Sequence, residues 1–456
     1  MKRRLILTLS IFIASLVSVA QSADDYFNEV DSILNSNKPA KVFFAQRILN
    51  NQLKGETKNA RYWEYLTEIH RINKYKSEAF KCIDKAIRLD STNSAYVFEK
   101  ARLTNEFSSD TEAALKLVEQ AILIKDDPYY RYFKGIFLQM INRNSEAEIE
   151  YEIAYNNNIT DDGLFFNYAV LLFDANKFQK ALEVINKDIN LYPQIPARYI
   201  LQGDIYAGMV DQENCIKSFK IAIEMGYYGE KTATLNKFIS LNNYSSLGEY
   251  MIFYKKYKPA LQYFLKSIEL HEDSTGANYV NAGYTYSLLF DYKNTEKMYL
   301  VAEKRMLQPS DQLYLNMGVL YEEMKEYQKA KEVTMKQITL YPTANNYVNL
   351  GSIYEKLNEH KNALEAYNKA LSIHPDFFRA YGYLAQLYTH KEDYNRALEY
   401  AVKSLKSKPD YAFGIYQQGC AKLALHLEGG CDDIKTAVSR GNEDANKAYL
   451  EFCTGK

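Results

Sequence analysis

The chain has 456 residues, enough for two or three ordinary domains or for one long repeat array. Its 56 lysines and arginines nearly balance its 57 aspartates and glutamates, so the net charge gives no indication of a nucleic-acid partner or of an anionic membrane surface. Glycine (19) and proline (9) are scarce while tyrosine (41) is abundant, which favours helices over a turn-rich β fold.

Residues 1–20 are predicted to be a signal peptide. Residues 2–4 are basic, residues 5–17 form a short apolar core, and small residues precede Gln21 as a cleavage site requires. A retained membrane anchor is the alternative, but so short an apolar run is marginal for about 30 Å of hydrocarbon. No cysteine follows the predicted cleavage site, which argues against a lipid anchor there. We therefore expect a periplasmic or secreted chain without a transmembrane segment after processing.

From residue 21 onward, one spacing recurs along almost the whole chain. Placing a small residue at position 8 and another at position 20 of a 34-residue unit gives twelve candidate units. Their starts are Gln21, Ala60, Ser94, Pro128, Asp162, Pro196, Leu241, Gly276, Asp311, Ala344, Phe378 and Ala412. In the clearest copy, positions 7, 8, 11, 20, 24, 27 and 32 are Leu350, Gly351, Tyr354, Ala363, Tyr367, Ala370 and Pro375.

The spacing has a physical interpretation. Large residues at positions 4, 7, 11 and 24 follow the periodicity of amphipathic helices. Position 8 of a first helix is expected to face position 20 of the second, so that small residues let the two helices approach. A single helix pair cannot bury its apolar face alone, and neighbouring units are therefore expected to stack.

A 34-residue period with small residues at positions 8, 20 and 27 resembles the tetratricopeptide repeat family. The resemblance implies an all-α fold, a right-handed superhelical solenoid of about twelve helix-turn-helix repeats with a C-terminal capping helix. It also implies a protein that binds other proteins or peptides and is not an enzyme.

One interval is too long. Pro196 and Leu241 are 45 residues apart, about 11 more than a unit, and the surplus contains either an extra helix near Thr232–Ile239 or a kink between two arms. The predicted organisation is an N-terminal arm at 21–228, an irregular insertion at 229–240, a C-terminal arm at 241–443 and a capping helix at 444–456.

The chain contains no catalytic motif that we recognise. Walker-type loops, Gly-x-Ser-x-Gly, His-Glu-x-x-His and Cys-x-x-Cys are all missing from the sequence. The six histidines are scattered, and none has a histidine or cysteine three or four residues later. We therefore expect neither enzyme activity nor a metal or cofactor.

The five cysteines are odd in number, so at least one thiol stays unpaired. Cys431 occupies position 20 of the last unit, and Cys453 lies on the capping helix expected to pack against the same second helix. The end of the chain resembles that of many exported bacterial tetratricopeptide proteins, in which a Gly-Cys turn precedes a short helix ending in Cys. A Cys431–Cys453 disulfide is the hypothesis, and two small buried thiols are the alternative.

Members of this family line a concave face with their first helices. Asn167, Asn281, Asn316 and Asn349 all occupy position 6 of their units, where amides could hold an extended peptide backbone or could serve packing between repeats. Further candidates are the aromatic residues of the N-terminal arm and one cation of the C-terminal arm, namely Tyr129, Tyr132, Phe166, Phe173 and Arg379. The aromatic residues could instead pack between helices. Basic residues are too few for recognition of a C-terminal carboxylate.

These expectations describe an exported scaffold or adaptor that binds a protein or peptide, with association with an envelope complex as a further expectation and no nucleic-acid partner. The alternative is a receptor for glycan or peptidoglycan, in which tyrosines stack on sugar rings. That alternative requires tyrosines clustered on one face, whereas Tyr286, Tyr321 and Tyr367 occupy positions 11 and 24, which are expected to be core.

Overall fold

A computed structural model describes residues 22–35, 39–157, 159, 161–229, 231–241, 243–272 and 275–454. The predicted signal peptide lies outside the described residues. Within them the secondary structure is helical, with 26 helices and no strand. None of the described helices is both long enough and apolar enough to cross a membrane.

The chain divides into two compact units, one ending at Thr232 and one beginning at Ala233. Unit 1 contains α1 (Ala23–Asn35), α2 (Pro39–Asn51), α3 (Ala60–Ile72), α4 (Lys76–Leu89), α5 (Ser94–Ser108), α6 (Thr111–Ile124), α7 (Pro128–Met140), α8 (Asn144–Asn156), α9 (Asp162–Asp174), α10 (Phe178–Leu191), α11 (Pro196–Gly208) and α12 (Gln212–Glu224).

Unit 2 contains α13 (Thr232–Leu241), α14 (Tyr244–Phe253), α15 (Tyr257–Glu269), α16 (Ala277–Leu288), α17 (Tyr292–Arg305), α18 (Asp311–Glu323), α19 (Tyr327–Leu340), α20 (Ala344–Lys356), α21 (His360–Ile373), α22 (Phe378–His390), α23 (Tyr394–Ser407), α24 (Ala412–Ala424), α25 (Gly430–Ser439) and α26 (Glu443–Phe452). Helix α13 begins at the last residue of unit 1 and lies in the surplus interval. The arm boundaries drawn from the sequence stay a prediction.

The helices form twelve pairs, which confirms the predicted all-α repeat architecture. Nine of the first helices begin at the first residue of a predicted 34-residue repeat, from Ala60 at α3 to Ala412 at α24. Helices α13 and α26 are unpaired additions, and α26 packs Ala445 and Ala448 into a core with Ile434 and Ala437 of α25. The spacing therefore predicted the positions of these helices because it records contacts within each pair.

The same tight turn joins the two helices of most pairs. The residue at position 15 adopts a left-handed conformation, with φ between 55° and 62° in the ten pairs that share this length. These residues are Lys74, Asn142, Asn176, Val210, Lys255, Phe290, Lys325, Asn358, Glu392 and His426. None is glycine, although glycine adopts this conformation at the lowest cost. The residue type at position 15 therefore does not indicate the turn in the sequence.

The contact made by position 8 differs from the expectation. A Cβ built on Gly248 would lie 2.7 Å from the ring of Phe264, and one on Gly283 would lie 2.5 Å from the ring of Tyr299. Both rings belong to position 24, so the nearest neighbour of position 8 is position 24 and not position 20 as expected. The small residue is needed because a buried ring occupies the space between the helices.

Candidate partner-binding groove

The first helices of unit 2 border two adjoining depressions, which we call the unit-2 groove. The polar depression has a volume of 490 Å³ and lies between α18, α20 and α22. The aromatic depression has a volume of 380 Å³ and lies between α16, α17 and α18. Leu315 and Val319 of α18 line both, so the two depressions adjoin at that helix.

A single arginine dominates the polar depression. Arg379 donates from Nη1 to Oδ1 of Asn345 at 2.7 Å and from Nη2 to Oδ1 of Asn349 at 3.3 Å. Both acceptors are neutral amides on the preceding first helix, and Arg379 forms no ion pair with any residue that the structure describes. The guanidinium is therefore held in a fixed position without being neutralised.

The acidic groups beside Arg379 already have partners. Oδ1 of Asp311 accepts hydrogen bonds from Gln337 and Asn346, each at 2.9 Å. Glu322 forms an ion pair with Lys356 of the next repeat. These contacts leave the charge of Arg379 available to an acidic group of a ligand, because the nearby carboxylates are engaged elsewhere.

The aromatic depression combines exposed rings with amide and carboxylate groups. The side chains of Tyr284 and Phe290 are 43% and 78% exposed, which is high for large apolar residues at the border of a concavity. Asn316 lines the same depression, and its Oδ1 accepts a hydrogen bond from Gln312 at 2.7 Å. Tyr299 is buried below them, and burial raises its pKa well above the usual value. This depression can hold an apolar group beside a hydrogen-bonding amide.

The four asparagines at position 6 do not form one continuous ladder. Asn316 and Asn349 line the groove, while Asn281 lines neither depression. In unit 1, Nδ2 of Asn167 donates to the hydroxyl of Tyr132 at 3.1 Å, a contact between neighbouring first helices. For Asn167 the amide therefore serves packing between repeats.

Two of the predicted aromatic contacts are corrected by the structure. Tyr132 and Phe173 are each 4% exposed, so their rings are core and cannot cover a partner. Tyr132 packs against the backbone of Gly163 on the next first helix, where there is no side chain to displace it. Tyr129 and Phe166 are half-buried and keep some surface. The interpretation as inter-helix packing applies to the two buried rings.

Phe290 was missed by the sequence interpretation. It occupies position 15, in the turn between α16 and α17, and only first-helix positions were considered. Tyr284 and Val319 both lie on first helices, which were expected to line the concave face, so the sequence could have indicated them. Arg379 and Asn349 were predicted, and the structure brings them together at the polar depression.

The structure joins Cys431 and Cys453 by a disulfide, with their Cα atoms 5.7 Å apart. Cys82, Cys215 and Cys420 are free thiols. Burial raises the pKa of all three and brings that of Cys82 to about 11, so none has the character of a reactive thiolate. Among the described residues there is no group of histidine, cysteine and acidic side chains suited to a metal ion.

Comparison with known protein families identifies repeats in unit 2. Family models for the tetratricopeptide repeat match residues 311–343, 344–377 and 366–399. A search of the curated proteins found no match.

Solved structures similar to this chain share little sequence with it. A chain of the APC/C hetero-tetramer Cut9-Hcn1 is 11% identical, with 87% of this chain and 96% of that chain covered and a TM-score of 0.38. MamA is 24% identical, with 36% and 94% covered and a TM-score of 0.33. A chain of Naa15/Naa10 bound to HypK-THB is 16% identical, with 84% and 65% covered and a TM-score of 0.39. These TM-scores lie below 0.5, and the similarity carries nothing about function.

The matched repeats belong to the same series of helix pairs as the rest of the chain. Residues 311–399 contain the helix pairs that begin at Asp311 and at Ala344. They also contain most of the pair that begins at Phe378. Seven of the other pairs share the same turn, and in four of them a glycine at position 8 packs on the ring at position 24. The chain therefore contains tetratricopeptide repeats, matched over residues 311–399, within a longer series of helix pairs.

Proposed function

We propose that this protein is a non-enzymatic scaffold that binds an extended segment of a partner protein in the unit-2 groove. The observation that carries the proposal is Arg379, fixed between two amides and not neutralised by a carboxylate. An acidic residue of the partner would form a charge-assisted hydrogen bond there. The aromatic depression would take an apolar side chain of the same segment, since Tyr284 and Phe290 already line it.

The place of action proposed for the scaffold is outside the cytoplasm, in the periplasm or as a secreted protein. This part of the proposal rests on the leader-like residues 1–20, with their basic start and apolar core. Mass spectrometry of the protein isolated from its own cells tests it. A chain beginning at Gln21 supports export, and a chain that retains residues 1–20 in the cytoplasm refutes it.

One observation favours a second candidate, a glycan receptor. Tyr284 and Phe290 expose ring faces beside Asn316 and Glu323, and sugar rings bind to surfaces that combine an aromatic face with hydrogen-bonding side chains. The polar depression with its fixed arginine has no role in that candidate. The two functions therefore predict different sensitivities to substitution of Arg379.

The test compares proteins captured by the wild type, by Arg379→Gln and by Arg88→Gln. Arg88 is an exposed arginine of α4 in unit 1, so the control removes the same charge from another surface. Peptides tiled from a captured protein are then titrated by fluorescence anisotropy. We expect Arg379→Gln to lower the affinity for the bound peptide by about ten- to a hundredfold, the range for a hydrogen bond to a charged group. Arg88→Gln should leave the affinity unchanged.

The outcomes separate the candidates. Equal peptide affinities for wild type and Arg379→Gln would remove the groove as the binding site. Binding to peptidoglycan that is lost with Phe290→Ser but kept with Arg379→Gln, in a protein that captures no polypeptide, would establish the glycan receptor instead.

A further inference from the structure

The first helix pair of unit 1 buries only one side of its two helices. Phe27 of α1 and Leu49 of α2 are fully buried, in a core that also contains Tyr65 of α3. Successive residues of a helix are turned by about 100°, so Glu29 lies about 200° from Phe27, and Arg47 lies about 200° from Leu49. Glu29 and Arg47 are therefore on the side of the pair that faces away from α3.

A groove with a volume of 420 Å³ lies between α1 and α2 on this side. Six of its lining residues are Glu29 and Ile33 of α1 and Phe44, Arg47, Ile48 and Asn51 of α2, and we call these six the α1–α2 face. None of the described residues that line the groove belongs to α3.

Aromatic surface is exposed at this face. Phe44 is 53% exposed, and the neighbouring Phe43 is 68% exposed. In later pairs of unit 1, the side toward the preceding pair is packed. The ring centroid of Tyr65 lies 5.7 Å from that of Phe27, and the centroid of Tyr130 on α7 lies 4.6 Å from that of Phe98 on α5. Solenoid repeats bury their apolar sides against neighbours, and exposed apolar surface at such a side marks a place where another molecule binds.

The charges of the α1–α2 face are complementary to each other. Glu29 and Arg47 are the only charged residues among the described residues that line the groove, and both are exposed. Neither forms an ion pair with a residue that the structure describes. Asp25, one turn earlier on α1, already accepts hydrogen bonds from the backbone and hydroxyl of Ser22 at 2.9 and 2.8 Å. The face thus carries one acid and one base, each available to a partner.

These two charges lie at similar heights along the pair. Glu29 stands six residues before the end of α1 at Asn35, and Arg47 stands eight residues after the start of α2 at Pro39. At 1.5 Å per residue they are about 9 and about 12 Å from the turn that joins the helices. The helices are antiparallel because only three residues connect them, so both distances are measured in the same direction.

We propose that the α1–α2 face binds the same face of a second copy of this chain. A two-fold axis parallel to the helices places α1 of one copy opposite α2 of the other. Glu29 of each copy then lies opposite Arg47 of the other, which forms two equivalent ion pairs on either side of the Phe44 and Ile48 side chains. Arginine and large aromatic residues are the types that contribute most to such contacts.

A second copy fits this face better than an unrelated acidic or basic protein does. A basic partner would leave Arg47 without a counter-charge, and an acidic partner would leave Glu29 without one. The two-fold contact satisfies both charges with residues that the face already contains. It also covers Phe44 with an equally apolar surface.

Pairing through this face gives a particle with two unit-2 grooves, because no residue lines both the groove and the α1–α2 face. A partner with two binding segments would then be held more tightly than by one copy, through the raised effective concentration of the second segment. The proposal does not depend on the proposed function, since pairing requires only residues of unit 1.

The test is sedimentation velocity over a range of protein concentrations. The protein is the chain from Gln21 onward, which contains every described helix. The variants are Glu29→Arg and Arg47→Glu, each alone, mixed in equal amounts, and combined in one chain. The matched controls are Glu112→Arg on α6 and Arg88→Glu on α4, which reverse exposed charges elsewhere in unit 1.

We expect the wild type and both controls to form dimers. Glu29→Arg and Arg47→Glu should each lower the dimer affinity by at least about a hundredfold, because like charges then meet twice across the two-fold contact. Equal amounts of the two variants should form a mixed dimer, since two positive side chains of one copy meet two negative side chains of the other. The chain with both substitutions should dimerise with itself, and Phe44→Ser should weaken dimers of the wild type.

Recovery on mixing separates a contact from a folding defect, because a misfolded variant would not regain dimerisation when mixed with another. A wild type that is monomeric at every concentration would overturn the proposal. So would single reversals that dimerise like the controls, or a mixture of the two variants that stays monomeric. If the wild type is a monomer that captures another protein, and Arg47→Glu releases that protein, the face binds a different partner and pairing of two copies is excluded.

Discussion

Gly135 of α7 lies directly against the ring of Tyr151 on α8. A Cβ on Gly135 would stand 2.6 Å from Cδ1 of that ring, far inside van der Waals contact. Tyr151 is fully buried, and its hydroxyl donates to Gln139, one turn beyond the glycine, at 2.9 Å. The glycine sits within a helix, so the ring and not the backbone conformation requires it. Where position 24 is the smaller Thr334, a Cβ on Gly318 would lie at an ordinary 3.5 Å.

This relationship predicts opposite effects for two chemically identical substitutions. Gly135→Ala should destabilise the fold by about 1–3 kcal/mol, because the buried ring must shift to admit the methyl group. Gly318→Ala should stabilise it by up to about 1 kcal/mol, because alanine is the better helix former and the space is free. Urea unfolding of both variants measures the difference. Effects of the same sign would show that ring volume does not decide which glycines are required.

A second prediction concerns an ion pair in the core of unit 1. Nε of Arg198 and Oδ2 of Asp188 are 2.7 Å apart, and the two side chains are 4% and 0% exposed. Arg198→Leu should cost about 3–5 kcal/mol, because it removes the guanidinium that stabilises a buried carboxylate. The measurement is the free energy of unfolding from urea titration.

The double variant Arg198→Leu with Asp188→Leu serves as the control, since it buries no charge. We expect it to recover much of the lost stability. If the double variant is no more stable than Arg198→Leu alone, loss of packing and not the unpaired charge is the cause.

The third prediction concerns the capping helix α26. The Cys431–Cys453 disulfide closes a loop with a sequence separation of 22 residues, for which the loop-entropy relation gives about 3 kcal/mol. Cys453→Ser should lower stability by up to that amount, while Cys420→Ser, which removes a free thiol, should not. Thiol alkylation of the denatured protein, followed by mass spectrometry, should count three thiols before reduction and five after. Five thiols in both samples would mean that the disulfide is absent.

The fourth prediction is a pH dependence that originates at Glu64 of α3. Burial, assisted by the carboxylate of Asp31, raises the pKa of Glu64 from 4.5 to about 7. The folded protein therefore binds this proton more tightly than the unfolded chain does. The corresponding stability is complete below pH ~4.5 and is lost as pH rises toward ~7, a change of about 2–3 kcal/mol.

Glu64→Gln should remove this dependence. The variant should match the wild type below pH ~4.5 and be about 2–3 kcal/mol more stable above pH ~7, as measured by urea unfolding across that range. Glu68→Gln on the same helix is the control. It breaks the ion pair in which Nη2 of Arg71 lies 2.6 Å from Oε1 of Glu68, and it should therefore lower stability at neutral pH. A wild-type stability profile that is unaltered by Glu64→Gln would exclude Glu64 as its origin.

The candidate groove could be predicted only in part. Arg379 and Asn349 were predicted because repeat positions 2 and 6 place them on the same surface, and they meet there. Tyr132 was a candidate on the same reasoning, with packing between helices as the alternative, and it is buried because Gly163 of the next first helix leaves space for its ring. Position in the repeat determines the direction of a side chain. Its exposure also depends on what the neighbouring repeat places opposite it.

The sequence by itself determined the helix pairs and their number, because these follow from contacts between residues fewer than 34 positions apart. The tertiary structure alone decided that position 8 packs on position 24 and that Tyr132 and Phe173 are core. It likewise decided that Arg379 lies between two amides while the acids around it are paired. These features depend on side-chain volume and on partners from the next helix or repeat, which the spacing does not encode.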